Sequence, residues 1–236
     1  MRNSFLNFEK INSKSVFKKH ALNLFSYQYK KNTVYRSYCD LVNINPSEVD
    51  EIRKIPFLPI HFFKTHNLNH IKKTPEIIFT SSKTTGQKSS IHYVNDLNLY
   101  IKSFEKTFAH FYGKIQNYVL LALLPSYLQR QNSSLVYMAD NLIKKTNNPD
   151  SGFYLDDWDA LRTKLKDLED KKQKTILLGV TFALLEGAEK YKWKLNKTLI
   201  METGGMKGMR EELVRSDLHK KLQSAYKVKK FILSMG

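Results

Sequence analysis

The stretch Tyr118-Val-Leu-Leu-Ala-Leu-Leu-Pro125 is the longest apolar run in the sequence, and it predicts a β-strand that ends at a proline. Shorter apolar runs lie on both sides of it, and stretches with helical character separate them. Strands that alternate with helices are typical of a layered α/β domain, in which helices cover a sheet. The run is far too short to cross a bilayer, which takes about 20 apolar residues.

Working outward from this run gives the predicted order of elements. We predict strands at residues 76–79, 118–124, 175–180, 198–201 and 229–233. We predict helices at residues 96–112, 133–145, 157–168, 182–190 and 209–226.

The first fifty residues have a different character and predict a helical N-terminal segment. A second helical stretch is predicted after Pro46, with Ser47 as its cap. Residues 55–60 contain two prolines and are therefore predicted to be extended. We accordingly divide the chain into a helical segment, residues 1–50, and an α/β region, residues 51–236.

Composition indicates a soluble, globular protein of the cytoplasm. Hydrophobic residues make up 42% of the 236 residues and aromatic residues 12%, which is enough for a core. The first ten residues mix charged and polar side chains and do not resemble a secretory signal. The single cysteine, Cys39, excludes an internal disulfide and fits a reducing compartment.

The net charge of +17 raises the alternative of nucleic-acid binding. The lysines are scattered along the chain, and the sequence contains no arginine-rich helix, aromatic-glycine RNA motif or zinc-ligand spacing. This distribution argues against specific nucleic-acid recognition. A positive field equally favours an anionic substrate such as ATP.

The segment Phe79-Thr-Ser-Ser-Lys-Thr-Thr-Gly-Gln-Lys-Ser-Ser90 is the best candidate for phosphate binding. It follows a predicted strand and combines hydroxyl groups, one glycine and two lysines, which are the groups that phosphate oxygens bind. It is not a Walker A loop, because Gly86 is followed by Gln87 and has no matching earlier glycine. The alternative is an ordinary solvated loop.

The segment Glu202-Thr-Gly-Gly-Met-Lys-Gly208 is the second candidate. It lies between a predicted strand and a predicted helix, where ligands of open α/β sheets bind. Its glycines allow a base or a phosphate to approach the backbone closely. The alternative is a tight turn without a ligand, in which Glu202 only caps the helix.

Four segments, taken in order, resemble the acyl-protein synthetases of bacterial luminescence, a branch of the adenylate-forming superfamily that is related to phenylacetate-CoA ligases. Ser81-Ser-Lys-Thr-Thr-Gly86 resembles the superfamily's Ser-Ser-Gly-Thr-Thr-Gly phosphate loop. Residues 55–66 resemble the proline-rich entry segment, residues 124–137 the strand-to-helix crossing, and residues 202–208 the glycine-rich turn along the nucleotide. The resemblance extends from about residue 50 to the C-terminus.

This resemblance implies an activity and a set of contacts. A carboxylic acid, by family a long-chain fatty acid, would react with ATP and Mg²⁺ to give an acyl-adenylate, and the acyl group would pass to a protein thiol. An acyl reductase is the acceptor in luminescence. No catalytic residue is assigned. The implied nucleotide contacts are Ser81, Ser82, Thr84, Thr85, Gly86, Gly204, Gly205 and Met206.

The sequence departs from the superfamily pattern in two places. Lys83 occupies a position where the superfamily usually has glycine, so it either strains the loop or contacts phosphate. Residues 233–236 resemble the start of the superfamily's Gly-x-Thr-Glu segment, which implies that the Mg²⁺-holding residues lie beyond Gly236. The alternative function is therefore a truncated, non-catalytic remnant that binds a nucleotide or a protein.

The remaining candidates are expected to be structural. His61, His66 and His70 do not have the spacing of a helical metal pair, and no metal site is predicted. No partner base for Cys39 can be identified, and the resemblance places the acylated cysteine in a later part of the family's chain. The two tryptophans are expected to pack in the core.

Overall fold

The computed structural model describes residues 11–81, 88–125, 132–204 and 214–228, together with the backbone of residues 231–233. The chain divides into two compact units, one up to Tyr100 and one from Ile101 onward. The described residues form a mixed α/β structure, as predicted. No helix among them is long and apolar enough to span a bilayer.

The first unit begins with two helices that share one capping residue. Helix α1 spans Lys14–Lys31, and helix α2 spans Thr33–Leu41. Asn32 ends α1, and its side chain accepts a hydrogen bond from the backbone N–H of Tyr35 at 3.1 Å, which starts α2. A side-chain acceptor at this position satisfies a donor that the helix itself leaves unpaired.

The predicted helix after Pro46 is wrong. Residues 46–48 form only one 3₁₀ turn, and its cap is Asn45 rather than Ser47. The side chain of Asn45 accepts from the backbone N–H and the hydroxyl of Ser47, at 3.2 and 2.7 Å. Asparagine competes with the backbone for such local hydrogen bonds, which favours a turn over a longer helix.

The first unit also contains a short helix and a hairpin. Helix α3 spans Phe62–Thr65. Strands β1, Ile77–Thr80, and β2, Ile91–Val94, pair antiparallel in a sheet of two strands. The strand predicted at 76–79 therefore lies outside the main sheet, and its partner β2 was not predicted. Strand β2 contains His92 and Tyr93 and therefore lacks the apolar run from which β1 was predicted.

The second unit is an α/β sandwich around a sheet of five parallel strands in the order β4-β3-β5-β6-β7. Helix α4 begins in the first unit and ends in the second. The elements are α4 (Leu97–Tyr112), β3 (Val119–Leu123), α5 (Ser134–Thr146), β4 (Gly152–Tyr154), α6 (Trp158–Asp170), β5 (Thr175–Gly179), α7 (Thr181–Lys190), β6 (Thr198–Glu202), α8 (Arg215–Tyr226) and β7 (Phe231–Leu233).

The predicted strands and helices of this unit are confirmed to within a few residues, except at the start of α8, where the predicted residues before 214 lie outside the described part. Strand β4 was not predicted. It has only three residues, and its position is fixed by pairing with β3.

The strand order explains which helices share a face of the sheet. The chain moves one way from β3 to β4 through α5, and the other way from β4 to β7 through α6, α7 and α8. Because such crossovers are right-handed, α5 covers one face, and the other three helices cover the opposite face. The core agrees, since Val119, Leu121 and Leu123 pack in one cluster with buried residues of α6, α7 and α8.

Gly187 allows α7 to pack closely against its neighbours. A Cβ atom at this position would overlap the ring of Trp158 and lie 2.7 Å from the hydroxyl oxygen of Tyr226. The carbonyl oxygen of Gly187 also accepts a hydrogen bond from Nε1 of Trp193 at 2.7 Å. Both tryptophans are buried, so the prediction that they pack in the core is confirmed.

We expect Gly187→Ala to lower the free energy of unfolding by about 1–3 kcal/mol, because the added methyl group overpacks the core. The better helix propensity of alanine, about 1 kcal/mol, offsets part of this loss. Gly152→Ala is the matched control, since a Cβ atom there meets nothing within 4 Å. Urea unfolding of both variants tests the expectation, and equal losses would contradict it.

Candidate functional site

The carboxyl ends of β3, β5 and β6 lie side by side at one edge of the parallel sheet. Connections leave this edge in opposite directions, because the chain passes from β3 to β4 on one side and from β5 to β6 on the other. Such a reversal opens a crevice at the strand ends, where α/β proteins bind ligands. The glycine turn predicted from the sequence begins at the end of β6.

Glu202 is the last residue of β6 and is only 3% exposed. Its Oε1 atom accepts a hydrogen bond from the hydroxyl of Thr181 and another from the backbone N–H of Gly204, the latter at 2.6 Å. A buried carboxylate needs such donors, because its lost hydration is otherwise uncompensated. Glu202 therefore ties the start of α7 to the turn after β6.

Backbone hydrogen bonds hold the same turn in place. The N–H of Thr203 donates to the carbonyl of Gly179 at 3.0 Å, and the N–H of Thr181 donates to the carbonyl of Gly204 at 3.2 Å. These bonds continue the pairing of β5 and β6 past the ends of the strands. Thr203 and Gly204, the described residues of the turn, are thus held by hydrogen bonds to Gly179 and Thr181.

Gly204 has two features that bear on the prediction that glycines in this turn let a ligand approach the backbone. Its φ angle is +73°, in the left-handed region that glycine adopts without strain. A Cβ atom built on Gly204 meets nothing within 4 Å, so the described residues leave open space beside this backbone. Both features fit a position where a flat base or a phosphate approaches the main chain.

The described structure includes only part of the predicted contact set. Ser81 belongs to the first unit and Gly204 to the second. The other predicted contacts lie outside the described residues: Ser82, Thr84, Thr85, Gly86, Gly205 and Met206.

Ser81 lies at the base of the phosphate loop and has a structural role there. Its backbone N–H donates to the carbonyl of Ser90 at 3.1 Å, and its hydroxyl oxygen accepts from the N–H of Ser90 at 2.9 Å. The pair closes the loop directly after the β1–β2 pairing ends. The position fits the supporting role that the sequence predicted for Ser81.

Thr181 is the residue that sequence reasoning missed. It begins α7, and no side chain caps the N-terminus of that helix. The signal in the sequence was a threonine at a predicted strand-to-helix junction, in Gly179-Val-Thr181. Only the register between β5 and β6, which pairs Gly179 with Glu202, brings its hydroxyl to the carboxylate.

The other candidates do not form a reactive site among the described residues. Cys39 is fully buried, and burial raises the pKa of its thiol, so the thiolate is disfavoured. His66 shares a hydrogen bond with Thr65 at 2.8 Å, and His70 shares one with Tyr27 at 3.4 Å. No three His, Cys, Asp or Glu side chains in the described part of the chain group together as metal ligands.

Comparison with known proteins identifies a family. A family model described as acyl-protein synthetase, LuxE, matches residues 3–231 of the chain. No curated protein matches it. The match includes both the Ser/Thr loop and the glycine turn, and it is the family that the four sequence segments resemble.

We expect Thr181→Val to lower the free energy of unfolding by about 1–3 kcal/mol, because a buried carboxylate loses a hydrogen-bond donor. Thr163→Val is the matched control. Thr163 is an exposed helix residue whose hydroxyl donates only to the carbonyl of Asp159. Surface substitutions of this kind change stability by about 0.5 kcal/mol or less.

Denaturant unfolding of Thr181→Val, of Glu202→Gln and of the double variant measures the coupling between the two side chains. Equal destabilisation by Thr181→Val and the control Thr163→Val, or a cycle without coupling, would show that the hydrogen bond from Thr181 does not stabilise buried Glu202.

Proposed function

Because the chain belongs to the acyl-protein synthetase family, matched over residues 3–231, we propose that it activates a carboxylic acid with ATP and passes the acyl group to a protein thiol. The family match is the observation that carries the proposal. We propose a fatty acid as the substrate, an acyl reductase as the acceptor protein, and the cytoplasm as the location.

The proposed chemistry has two steps. A carboxylate oxygen attacks the α-phosphorus of ATP, the bond to the β-phosphate oxygen breaks, and pyrophosphate leaves. A thiolate sulfur of the acceptor then attacks the acyl carbon, and AMP leaves with the electrons of the acyl–oxygen bond. In both steps a protein can contribute in two ways. It can hold the reactants in the correct orientation, and it can supply hydrogen-bond donors that stabilise the developing negative charge.

The turn after β6 supports a role in holding the nucleotide. In this proposal Gly204, Gly205 and Met206 lie along the nucleotide. The positive φ angle of Gly204 and the open space beside it suit a ligand that approaches the backbone. Glu202 serves as a positioning residue, because its Oε1 atom already accepts hydrogen bonds from Thr181 and Gly204.

The loop of the first unit supports a role in binding phosphate. In this proposal Thr84, Thr85 and Gly86 contact the phosphates, and Ser81 and Ser82 support the loop. The hydrogen bonds between Ser81 and Ser90 close the base of the loop. A closed base reduces the conformational entropy that the loop loses when it binds an anion.

Two parts of the proposal come from the resemblance alone. Mg²⁺ is expected with ATP, but the described residues offer no group of three metal ligands, so no step is assigned to the metal. The acceptor thiol belongs to another protein or another part of the family's chain, since Cys39 is buried and its thiol pKa is raised.

We expect the double substitution Thr84→Ala and Thr85→Ala to weaken binding of a non-hydrolysable acyl-adenylate analogue and of ATP. Loss of one hydrogen bond to a charged group costs about 1.5–3 kcal/mol, which corresponds to roughly 10- to 150-fold in affinity. Titration calorimetry on the whole chain measures the change, and thermal unfolding checks that the fold is intact.

Thr163→Ala provides the matched control, because Thr163 is an exposed threonine in α6, away from both candidate segments in the sequence. It should leave adenylate affinity unchanged. Unchanged affinity in the double variant would show that these threonines do not bind phosphate. Failure of the parent chain to bind any adenylate would favour the remnant, and sequence-selective oligonucleotide binding would favour a nucleic-acid function.

A further inference from the structure

A cavity of about 570 Å³ lies within the first compact unit. Its walls come from side chains within four stretches, residues 17–35, 52–58, 63–71 and 91–95. The volume falls in the range of roughly 300–1,000 Å³ that is typical of small-molecule sites. A stable protein–protein interface buries about 800 Å² on each partner. A concave cavity of this size is instead typical of a site for a small molecule.

The lining is uncharged. None of the lining residues that the structure describes is Lys, Arg, Asp or Glu, although these four types make up 26% of the chain. Burial lowers the pKa of the two lining histidines, His70 and His92, which keeps them neutral at pH 7. A charged group inside the cavity would lose hydration without gaining a partner, so the part of a ligand that enters is uncharged.

Two pairs of polar groups in the lining use hydrogen bonds within the protein, whereas the buried side-chain oxygen of Asn95 has no partner among the described residues. The side-chain nitrogen of Asn32 donates to the carbonyl of Leu68 at 3.2 Å. The side-chain oxygen of Asn69 accepts from the side chain of Asn95 at 3.1 Å. Most of the other lining side chains are aliphatic or aromatic, so the cavity presents mainly hydrocarbon surface to a ligand.

Several apolar side chains of the lining are also exposed to solvent. Phe17, Leu24, Phe57 and Ile91 are between 37% and 72% exposed, and each of them lines the cavity. Grouped exposed apolar side chains mark binding sites more often than chance, because covering them recovers hydrophobic free energy. A flexible hydrocarbon chain can fill such a cavity and cover its exposed lining at once.

We propose that this cavity binds the alkyl chain of the carboxylic acid substrate and leaves the carboxylate outside. The identity of the acid rests on the proposed function, whereas the preference for an uncharged hydrocarbon chain rests on the lining itself. No lysine or arginine of the described lining can pair with a carboxylate, which is why the head group stays out. The cavity thereby selects for chain length.

The test is a series of straight-chain acids, octanoate to tetradecanoate, titrated into the whole chain below their micelle concentrations and without ATP. Affinity should rise about fourfold for each methylene group that enters the cavity. It should become constant once the cavity is full. Affinity that does not depend on chain length would overturn the inference.

Two pairs of variants test whether the alkyl chain binds in the cavity. Leu24→Gln, in the lining and 37% exposed, should weaken dodecanoate binding about fivefold or more. Leu41→Gln, 82% exposed and outside the lining, should not. Ala21→Phe narrows the cavity and should make affinity constant at a shorter chain, whereas Ala109→Phe, at an exposed position of α4, should leave the series unchanged.

Thermal unfolding shows which variants are folded, and Leu24→Gln remains decisive if Ala21→Phe does not fold. Equal effects of Leu24→Gln and Leu41→Gln would overturn the inference. If affinity does not change with acid length in a protein that still binds the adenylate analogue, the result contradicts the cavity proposal but not the proposed function. If affinity rises with acid length in a protein that binds no adenylate, the result contradicts the proposed adenylation and supports the hydrocarbon site.

Discussion

The second unit depends on one constraint, the parallel pairing of strands that are buried on both faces. All five residues of β3 and all five of β5 are buried. A parallel pair needs a crossover for each connection, and a sheet buried on both faces needs helices on both sides. The same pairing brings the carboxyl ends of all its strands to one edge. The candidate site lies at the carboxyl edge, where the connections after β3 and β5 leave in opposite directions and a crevice opens.

At this edge a buried carboxylate determines the local structure. Glu202 ends β6, Thr181 begins α7, and Gly204 forms the turn, and one oxygen atom of Glu202 holds the other two. A carboxylate in this position is stable only with its donors, so the contacts specify each other. The result is a turn whose glycine keeps a positive φ angle beside open space. In the proposed reaction these contacts would hold Gly204 in position beside the nucleotide.

The first unit combines two chemically opposite features. The loop between β1 and β2 contains hydroxyl groups and lysines, and hydrogen bonds between Ser81 and Ser90 close its base. The cavity of the same unit has no lysine or arginine in its described lining. Charged groups are well solvated in loops, whereas an alkyl chain gains free energy only where water is excluded. The proposed reaction of a fatty acid with a nucleotide would use both environments.

The sequence alone determined the α/β class, most elements of the second unit and the family, because long apolar runs and ordered motifs are local properties. The strands β3, β5 and β6 were predictable from such runs. Strands β2 and β4 were not, because β2 contains His92 and Tyr93 and β4 begins with Gly152, so neither forms an apolar run. Local reasoning also gave the wrong length and cap for the segment after Pro46. Only the tertiary structure decided that Thr181 lies against Glu202 and that uncharged side chains from four separate stretches line one cavity. These contacts join residues far apart in the chain, and strand register and packing set them rather than the identity of neighbouring residues.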